Sequence, residues 1–329
     1  MTLSTQRMET VMTASNPADR QQLVVVTGAS TGMGAATARE LAGRGYHVLA
    51  GARRDVDADA LRADGIEPHI LDITDEFDVA AIAVRVADDP LRRPLRALIN
   101  NAGIAVNAPV ETLPIPEWRN LFEVNLFGHI AMTQALLPAL LHSSGTVVNI
   151  SSVGGKFAMA TYGPYAASKF ALEAASDSLR REVGPLGVKV VVVEPGAVKT
   201  GMAGHAVAGA ERLTASMSTD QRNRYADLAA AISAQQLSAT KRGVPVERAA
   251  KVIAKAATSS NPRTRYTTGP EAPLLWLTRV APDRLLDRML RLALRPHYVT
   301  KAQSCPAATV TSLHMDPCRA SGTTGAALT

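Results

Sequence analysis

The chain has 329 residues, 47% hydrophobic and 19% charged, enough for a substantial core in one large α/β domain or two small ones. Its net charge of +6 is not concentrated in any long lysine–arginine block, so its composition gives no reason to expect a nucleic-acid partner. The two cysteines, Cys305 and Cys318, form no C-x-x-C pair, so neither a disulfide framework nor a zinc site is expected.

The first 20 residues hold no apolar run of signal-peptide length. No stretch reads as the roughly 18 apolar residues of a membrane span, and a cytoplasmic location is expected. Residues 1–21 are polar and unpatterned and read as a flexible arm.

Leu23, Val24, Val25 and Val26 form a β-branched apolar run that reads as a strand buried on both faces. It runs into Thr27-Gly28-Ala29-Ser30-Thr31-Gly32-Met33-Gly34, followed by a helical pattern at Ala35, Ala38, Leu41 and Ala42. Strand, glycine turn and helix are the context a dinucleotide needs. Glycines let the backbone approach a pyrophosphate, and a helix N-terminus offers free N–H groups and partial positive charge. The spacing G-x-x-x-G-x-G differs from the standard G-x-G-x-x-G, and an ordinary glycine-rich βα turn is the alternative.

A second strand at 46–51 ends in Ala52-Arg53-Arg54-Asp55. An acidic residue at this strand end would hold the adenosine ribose hydroxyls and select NAD. A small residue followed by arginine leaves room and charge for a 2′-phosphate. Ala52 and Arg53 therefore favour NADP(H), with NAD(H) as the alternative. Both arginines could instead be solvated loop charges, and Asp55 could serve as the acid if the strand ends later.

A third strand at 67–71 precedes Asp72, and a helix carrying Val79, Ile82, Ala83 and Val86 follows. A fourth strand at 95–99 ends in Asn100-Asn101-Ala102-Gly103. Residues 116–141 form a long helical pattern whose apolar stripe is interrupted by Asn125. Such an amide is either a satisfied core asparagine or an active-site group. His129, one turn on, reads as a core or subunit-contact histidine.

A fifth strand at 146–150 ends at Ser151-Ser152, and a helix at 164–183 carries Tyr165 and Lys169 four residues apart. On a helix these two share a face. An ammonium beside a phenol favours phenolate, and so lowers the tyrosine pKa from about 10 toward the working pH. A surface tyrosine near a solvated lysine is the plainer explanation of the pair taken alone. A sixth strand at 188–193 ends in Glu194-Pro195-Gly196.

This βαβα alternation calls for a doubly wound, mostly parallel Rossmann-type α/β sheet spanning 22–270 as a single domain. Its ligand crevice should lie at the strand C-termini, where all these loops fall. Residues 201–245, with a short helix at 228–237, read as a substrate lid. A helix at 247–257 and a short strand at 265–268 follow. Residues 271–301 form a C-terminal extension of leucine- and arginine-rich amphipathic helices, read as packing on the domain or a partner subunit. Peripheral membrane contact is the less favoured alternative. Residues 302–329 read as a disordered tail.

Taken together and in order, T-G-x-x-x-G-x-G, Asp72, N-N-A-G, Asn125, Ser152, Y-x-x-x-K and P-G-x-x-x-T resemble the short-chain dehydrogenase/reductase family. The segment from Glu173 to Gly196 looks most like its steroid- and retinol-type branch. The resemblance implies reversible hydride transfer between NADP(H) and a carbonyl or secondary alcohol of a small apolar substrate, without a metal. Tyr165 would be the general acid or base, Ser152 would steady the substrate oxygen, and Lys169 would hold the nicotinamide ribose and tune the phenol. Asn125 would hold a water linking Lys169 to solvent. Ser152 lies thirteen residues before Tyr165, which in this family favours it over Ser151. Tyr162 is excluded as the catalyst because its i+4 residue is Ala166.

The same resemblance places Thr27, Gly28, Ser30, Thr31, Gly32 and Gly34 around the cofactor phosphates. It puts Arg53, assisted by Arg54, at the 2′-phosphate, Asp72 at the adenine, and Asn101, Ala102 and Gly103 along the ribose region. Pro195, Gly196, Val198 and Thr200 would meet the carboxamide and phosphates. Thr31 stands where many NADP-preferring relatives carry a basic residue. A homodimer or homotetramer is implied, paired through helices 116–141 and 164–183. The competing functions are a 3-oxoacyl thioester reductase on the same scaffold and, less favoured, a cofactor-binding protein without activity.

Overall fold

The computed structural model describes residues 22–269 and 281–298. The arm at 1–21, part of the 271–301 extension and the tail at 302–329 lie outside the described residues. In chain order, β1 (Leu23–Val26) leads to α1 (Gly32–Gly43), β2 (His47–Ala52) to α2 (Asp55–Leu61), and β3 (Ile66–Ile70) to α3 (Glu76–Ala87). β4 (Leu95–Asn100) leads to α4 (Ile115–Phe122), then a π turn (Glu123–Phe127) and α5 (Gly128–Ser143). β5 (Thr146–Ile150) is followed by a 3-10 turn (Val153–Gly155) and α6 (Gly163–Val183). β6 (Lys189–Pro195), α7 (Met202–Ala215), α8 (Thr219–Arg242), α9 (Val246–Thr258), β7 (Arg265–Thr268) and α10 (Asp283–Leu294) complete the order.

The strands form one parallel sheet in the order β3-β2-β1-β4-β5-β6-β7. Parallel strands joined by helical crossovers are covered on both faces, which is why β1 is Leu-Val-Val-Val with every residue buried. Val24 and Val26 face a core shared with Ala38, Leu41 and Ile253 of α1 and α9. Leu23 and Val25 face the opposite core, with Val79 and Ile82 of α3 and Met132, Leu136 and Leu140 of α5. Alanines on α1 and α9, among them Ala38, Ala254 and Ala257, are fully buried in the first of these layers.

The chain moves outward from β1 to β3, then jumps across β1 to β4. The order of winding therefore reverses between β1 and β4, and that is where a doubly wound sheet opens a crevice. Two side chains tie its walls together. Thr27 Oγ1 accepts the N–H groups of Asn101 and Ala102, each at 3.0 Å. Asn101 Nδ2 donates to the Thr27 and Gly28 carbonyls, also at 3.0 Å.

Four sequence expectations are corrected. The pattern at 116–141 is a helical run interrupted by the π turn. The segment 201–245, read as a substrate lid, holds two helices, α7 and the 24-residue α8, where only a short helix at 228–237 was expected. Alanine-rich, charge-interrupted faces carry little periodicity, although Ser218 and Gln221 form a capping box that marks the start of α8. Asp55 begins α2 beyond the end of β2, so it is not the acid at that strand end. Finally, Ile115–Ser143 is 29 residues long and contains an 18-residue window with a mean hydropathy of 1.4, long and apolar enough to cross a membrane by those measures. In this fold its apolar residues Met132, Leu136 and Leu140 are buried against the sheet.

Candidate active site

The glycine turn after β1 is built for close approach. Gly28 has φ +61°, and a Cβ there would lie 2.6 Å from the Ala102 Cα. A Cβ on Gly34 would collide with the Gly28 carbonyl oxygen and lie 2.5 Å from Asn101 Nδ2. Gly32, with φ +57°, faces the Thr200 side chain at 3.5 Å from its Cβ position, so the loop after β6 meets the turn after β1. Thr31 caps α1 through its backbone, and its hydroxyl makes no capping bond. This glycine cradle at a helix N-terminus suits a pyrophosphate.

At the end of β2, Ala52 is buried and Arg53 is exposed, with no hydrogen bond or ion pair among the described residues. Arg54 is otherwise engaged: its Nε and Nη2 donate to both carboxylate oxygens of Asp57 at 2.6 and 2.8 Å. Asp72 Oδ1 accepts from the Thr74 amide and hydroxyl, at 3.0 and 2.7 Å. Its second oxygen accepts no hydrogen bond within the described residues.

Ser152 follows β5 and opens the 3-10 turn. Its Oγ accepts the Gly154 N–H at 3.0 Å and reaches the Pro195 carbonyl at 3.4 Å. Tyr165 stands in the first turn of α6, where Pro164 is accommodated. A Cβ on Gly154 would lie 3.4 Å from both Ser152 Oγ and Tyr165 Cε1, so these side chains meet over that glycine. Ser151 Oγ is buried without a hydrogen-bond partner and lies beside Gly155 instead.

Lys169 Nζ donates to the Ile150 carbonyl at 2.9 Å and lies 6.0 Å from the Tyr165 ring centre. Asn125 sits in the π turn, a helical irregularity common at functional sites. Its Oδ1 accepts the Ile104 N–H, and its Nδ2 donates to the Ile104 carbonyl and to Ser168 Oγ, all between 2.9 and 3.0 Å. Both amide protons are thus committed to holding the loop after β4 against α6. A Cβ on Gly103 would lie 3.3 Å from Asn125 Oδ1 and 3.7 Å from Lys169 Nζ. Ser168 and the Ile150 carbonyl are members of the site that the spacing of motifs did not disclose.

The electrostatics differ from the sequence expectation in one respect. Burial pushes the Tyr165 phenol above its ordinary value, with its Ser152 hydrogen bond opposing. Burial pulls Lys169 down to about 8, with Glu173 opposing. The expected depression of the phenol by Lys169 is therefore not a property of the chain by itself. Desolvation exceeds the attraction of an ammonium whose hydrogen bond goes to Ile150.

His129 is a core histidine, as one of its two readings held. Its Nε2 lies 2.7 Å from the Ala102 carbonyl and Nδ1 has no hydrogen-bond partner, so the neutral ring carries its proton on Nε2. Burial, and then the charge of Lys169, push it down to about 3. An unfolded histidine binds a proton near pH ~6.5. The unfolded state therefore holds more protons below that pH, and stability falls as pH drops, by up to about 1.4 kcal/mol per pH unit. His129→Gln is expected to flatten the stability–pH slope between about pH 6.5 and 4.5, as read from urea unfolding at several pH values. An unchanged slope would refute it. His69, also lowered by burial, leaves a residual slope.

Over the site, Met159, Tyr162 and Leu228 pack with Ala231, Ile232 and Leu294. Tyr162 lies edge-on to Tyr165, with ring centres 6.5 Å apart. Asn107 Nδ2 donates to Gln236 Oε1 at 2.8 Å, and Tyr225 donates to Glu111 at 2.7 Å, fastening α8 to the loop after β4.

Comparison with known proteins identifies the family. The short chain dehydrogenase family model matches residues 22–211. The chain is 35% identical over 262 residues to Dehydrogenase/reductase SDR family member 9 of Bos taurus, covering 77% of this chain and 82% of that one. It is 37% identical over 286 residues to Retinol dehydrogenase 16 of Homo sapiens, covering 82% and 88%. A short chain dehydrogenase from Burkholderia cenocepacia, solved in complex with NADP, superposes with TM-score 0.63 at 25% identity, covering 82% of this chain and 96% of that one. The chain belongs to the short-chain dehydrogenase/reductase family, in its retinol- and steroid-type branch. It is an oxidoreductase that acts on alcohols.

Proposed function

We propose that the chain interconverts a carbonyl and a secondary alcohol on an apolar, hydroxy-lipid-like substrate, using NADP(H). The observation that carries this reading is the meeting of Ser152 and Tyr165 over Gly154, with Lys169 one turn further along α6. The glycine cradle and the unpaired Arg53 fit a phosphorylated dinucleotide, which when bound supplies or accepts the hydride.

Tyr165, held protonated by burial, is the acid that carbonyl reduction needs. Ser152 aims a hydroxyl at the same substrate oxygen, where negative charge develops. Lys169, buried and anchored on Ile150, is placed to bind ribose hydroxyls and to bring positive charge beneath the phenol. Asn125 holds the loop after β4 against α6; a water reaching Lys169 would use its remaining Oδ1 lone pair. The apolar cluster of Met159, Leu228, Ile232 and Leu294, packed with Tyr162 beside Tyr165, is the ground for preferring a lipid-like substrate over a small polar one.

The test is a panel of retinoid, steroid, long-chain and acyl-thioester substrates with NADPH and NADP, followed by reduced-cofactor absorbance. Turnover confined to the acyl thioesters would replace this reading with the 3-oxoacyl reductase. For cofactor choice, Ala52→Asp with Arg53→Ser is expected to lower the kcat/KM ratio for NADPH over NADH by roughly 100-fold, the scale of one lost charged contact plus one introduced repulsion. A wild type that already prefers NADH would refute the role given to Arg53.

A further inference from the structure

Behind the reacting groups lies a cluster of charges that hydride transfer does not use. Lys156 ends the turn that Ser152 begins. Its Nζ is 2.6 Å from Glu173 Oε2 and 3.6 Å from Glu194 Oε1. Arg265, on β7, reaches Glu173 at 3.0 Å, Asp177 at 2.8 Å and Glu194 at 3.3 Å. The Glu173 and Glu194 side chains are only 6% and 3% exposed. Thr267 Oγ1 donates to the other oxygen of Glu194 at 2.8 Å.

Each member comes from a different wall of the site. Lys156 belongs to the Ser152 loop. Glu173 lies on α6, one turn beyond Lys169 and two beyond Tyr165. Glu194 is the residue before Pro195 and Gly196. The fit is close: a Cβ on Gly155 would lie 2.6 Å from Ser151 Oγ and 3.2 Å from both Glu173 Cγ and the Lys169 carbonyl. The Ser152 loop therefore rests directly on α6 between Lys169 and Glu173. Buried ion pairs add little net stability over apolar packing, but they do specify which partners meet. Two carboxylates sharing two cations leave a bare buried charge if the loop shifts.

We propose that Lys156, Glu173, Glu194 and Arg265 are positioning residues, a buried ion-pair clamp that holds the Ser152 loop in register with Tyr165 and Lys169 and with the Pro195–Gly196 segment. The proposal rests on the reading of Ser152, Tyr165 and Lys169 as the reacting groups. None of the four touches the substrate oxygen. They act through the placement of Ser152, and a displacement of about 1 Å at such a group costs up to roughly 100-fold in rate.

The test compares full-length wild type with Lys156→Met, Lys156→Arg and Glu173→Gln. Lys156→Met is expected to lower kcat by roughly 10- to 100-fold, with KM and the NADPH dissociation constant within about threefold of wild type. Lys156→Arg, which keeps the charge, should restore most of kcat. Amide hydrogen exchange should quicken at 151–157 in Lys156→Met and stay unchanged in β1 and α5. Retained kcat, loss of kcat with unchanged exchange, or equal loss in Lys156→Arg would each overturn the clamp. If Lys156→Met does not fold, Glu173→Gln is read by the same criteria. If wild type turns over nothing in the panel, the functional reading fails, and the exchange comparison alone decides the clamp: quickening confined to 151–157 supports it, and none overturns it.

Discussion

Tyr165→Phe is expected to lower kcat in both directions by roughly 10²–10⁴-fold, the usual worth of a positioned acid or base. The substitution removes one oxygen and little else. The ring keeps its edge-on packing against Tyr162 at 6.5 Å and its contact at Gly154, so the fold and the cofactor crevice stay as they are. Ser152 remains as a donor to the substrate oxygen, but an aliphatic hydroxyl is far too weak an acid to deliver the proton. NADPH binding, followed by cofactor fluorescence, should change little. Near-normal turnover would remove Tyr165 from the chemistry, and lost NADPH binding would recast it as a structural or cofactor-holding residue.

Gly28→Ala attacks the other half of the site. At φ +61° an alanine pays about 1–2 kcal/mol for the left-handed backbone. Its Cβ would lie 2.6 Å from the Ala102 Cα and 3.0 Å from the Ala102 nitrogen. Both are backbone atoms that no rotamer change can move, and Thr27 and Asn101 bind the two loops to each other. Overpacking of this kind adds about 1–3 kcal/mol. The expected result is a loss of about 2–5 kcal/mol in urea unfolding, together with at least a roughly tenfold weaker NADPH affinity as the cradle is forced open. Gly43→Ala is the control. Beyond its chain neighbours and its own helix backbone, no described atom lies within 4 Å of its Cβ position, and a helical glycine replaced by alanine should be neutral or slightly stabilising. Equal effects from the two substitutions would refute the close-approach argument.

The sheet was legible because three of its strands are β-branched runs that are almost wholly buried, each ending in a loop of distinctive residues. Leu23–Val26, Thr146–Ile150 and Lys189–Pro195 are of this kind. The segment read as a lid was less legible. α7 and α8 are rich in alanine, and charged residues interrupt their apolar positions. Arg54 reads from the sequence as assisting Arg53. Only the start of α2 at Asp55 brings Asp57 within reach of its guanidinium. Glu173 carried a usable signal, a carboxylate four residues after Lys169 on the same helical face, but its partners did not. Glu173 and Arg265 are 92 positions apart in the chain.

The amino-acid sequence by itself determined the family: T-G-x-x-x-G-x-G, Asn125, Ser152 and Y-x-x-x-K in this order carry the resemblance, and the reaction class is what that resemblance implies. Helical periodicity alone puts Tyr165 and Lys169 on one face. The tertiary structure decided how those groups are conditioned. It raised the phenol where proximity to Lys169 suggested lowering it, because desolvation of the phenol outweighs one ammonium that is bonded elsewhere. It spent the amide protons of Asn125 on Ile104 and Ser168, and it brought Lys156, Glu194 and Arg265 around Glu173. Desolvation and long-range ion pairing depend on what the packed sheet brings together, and no local pattern in the chain encodes that.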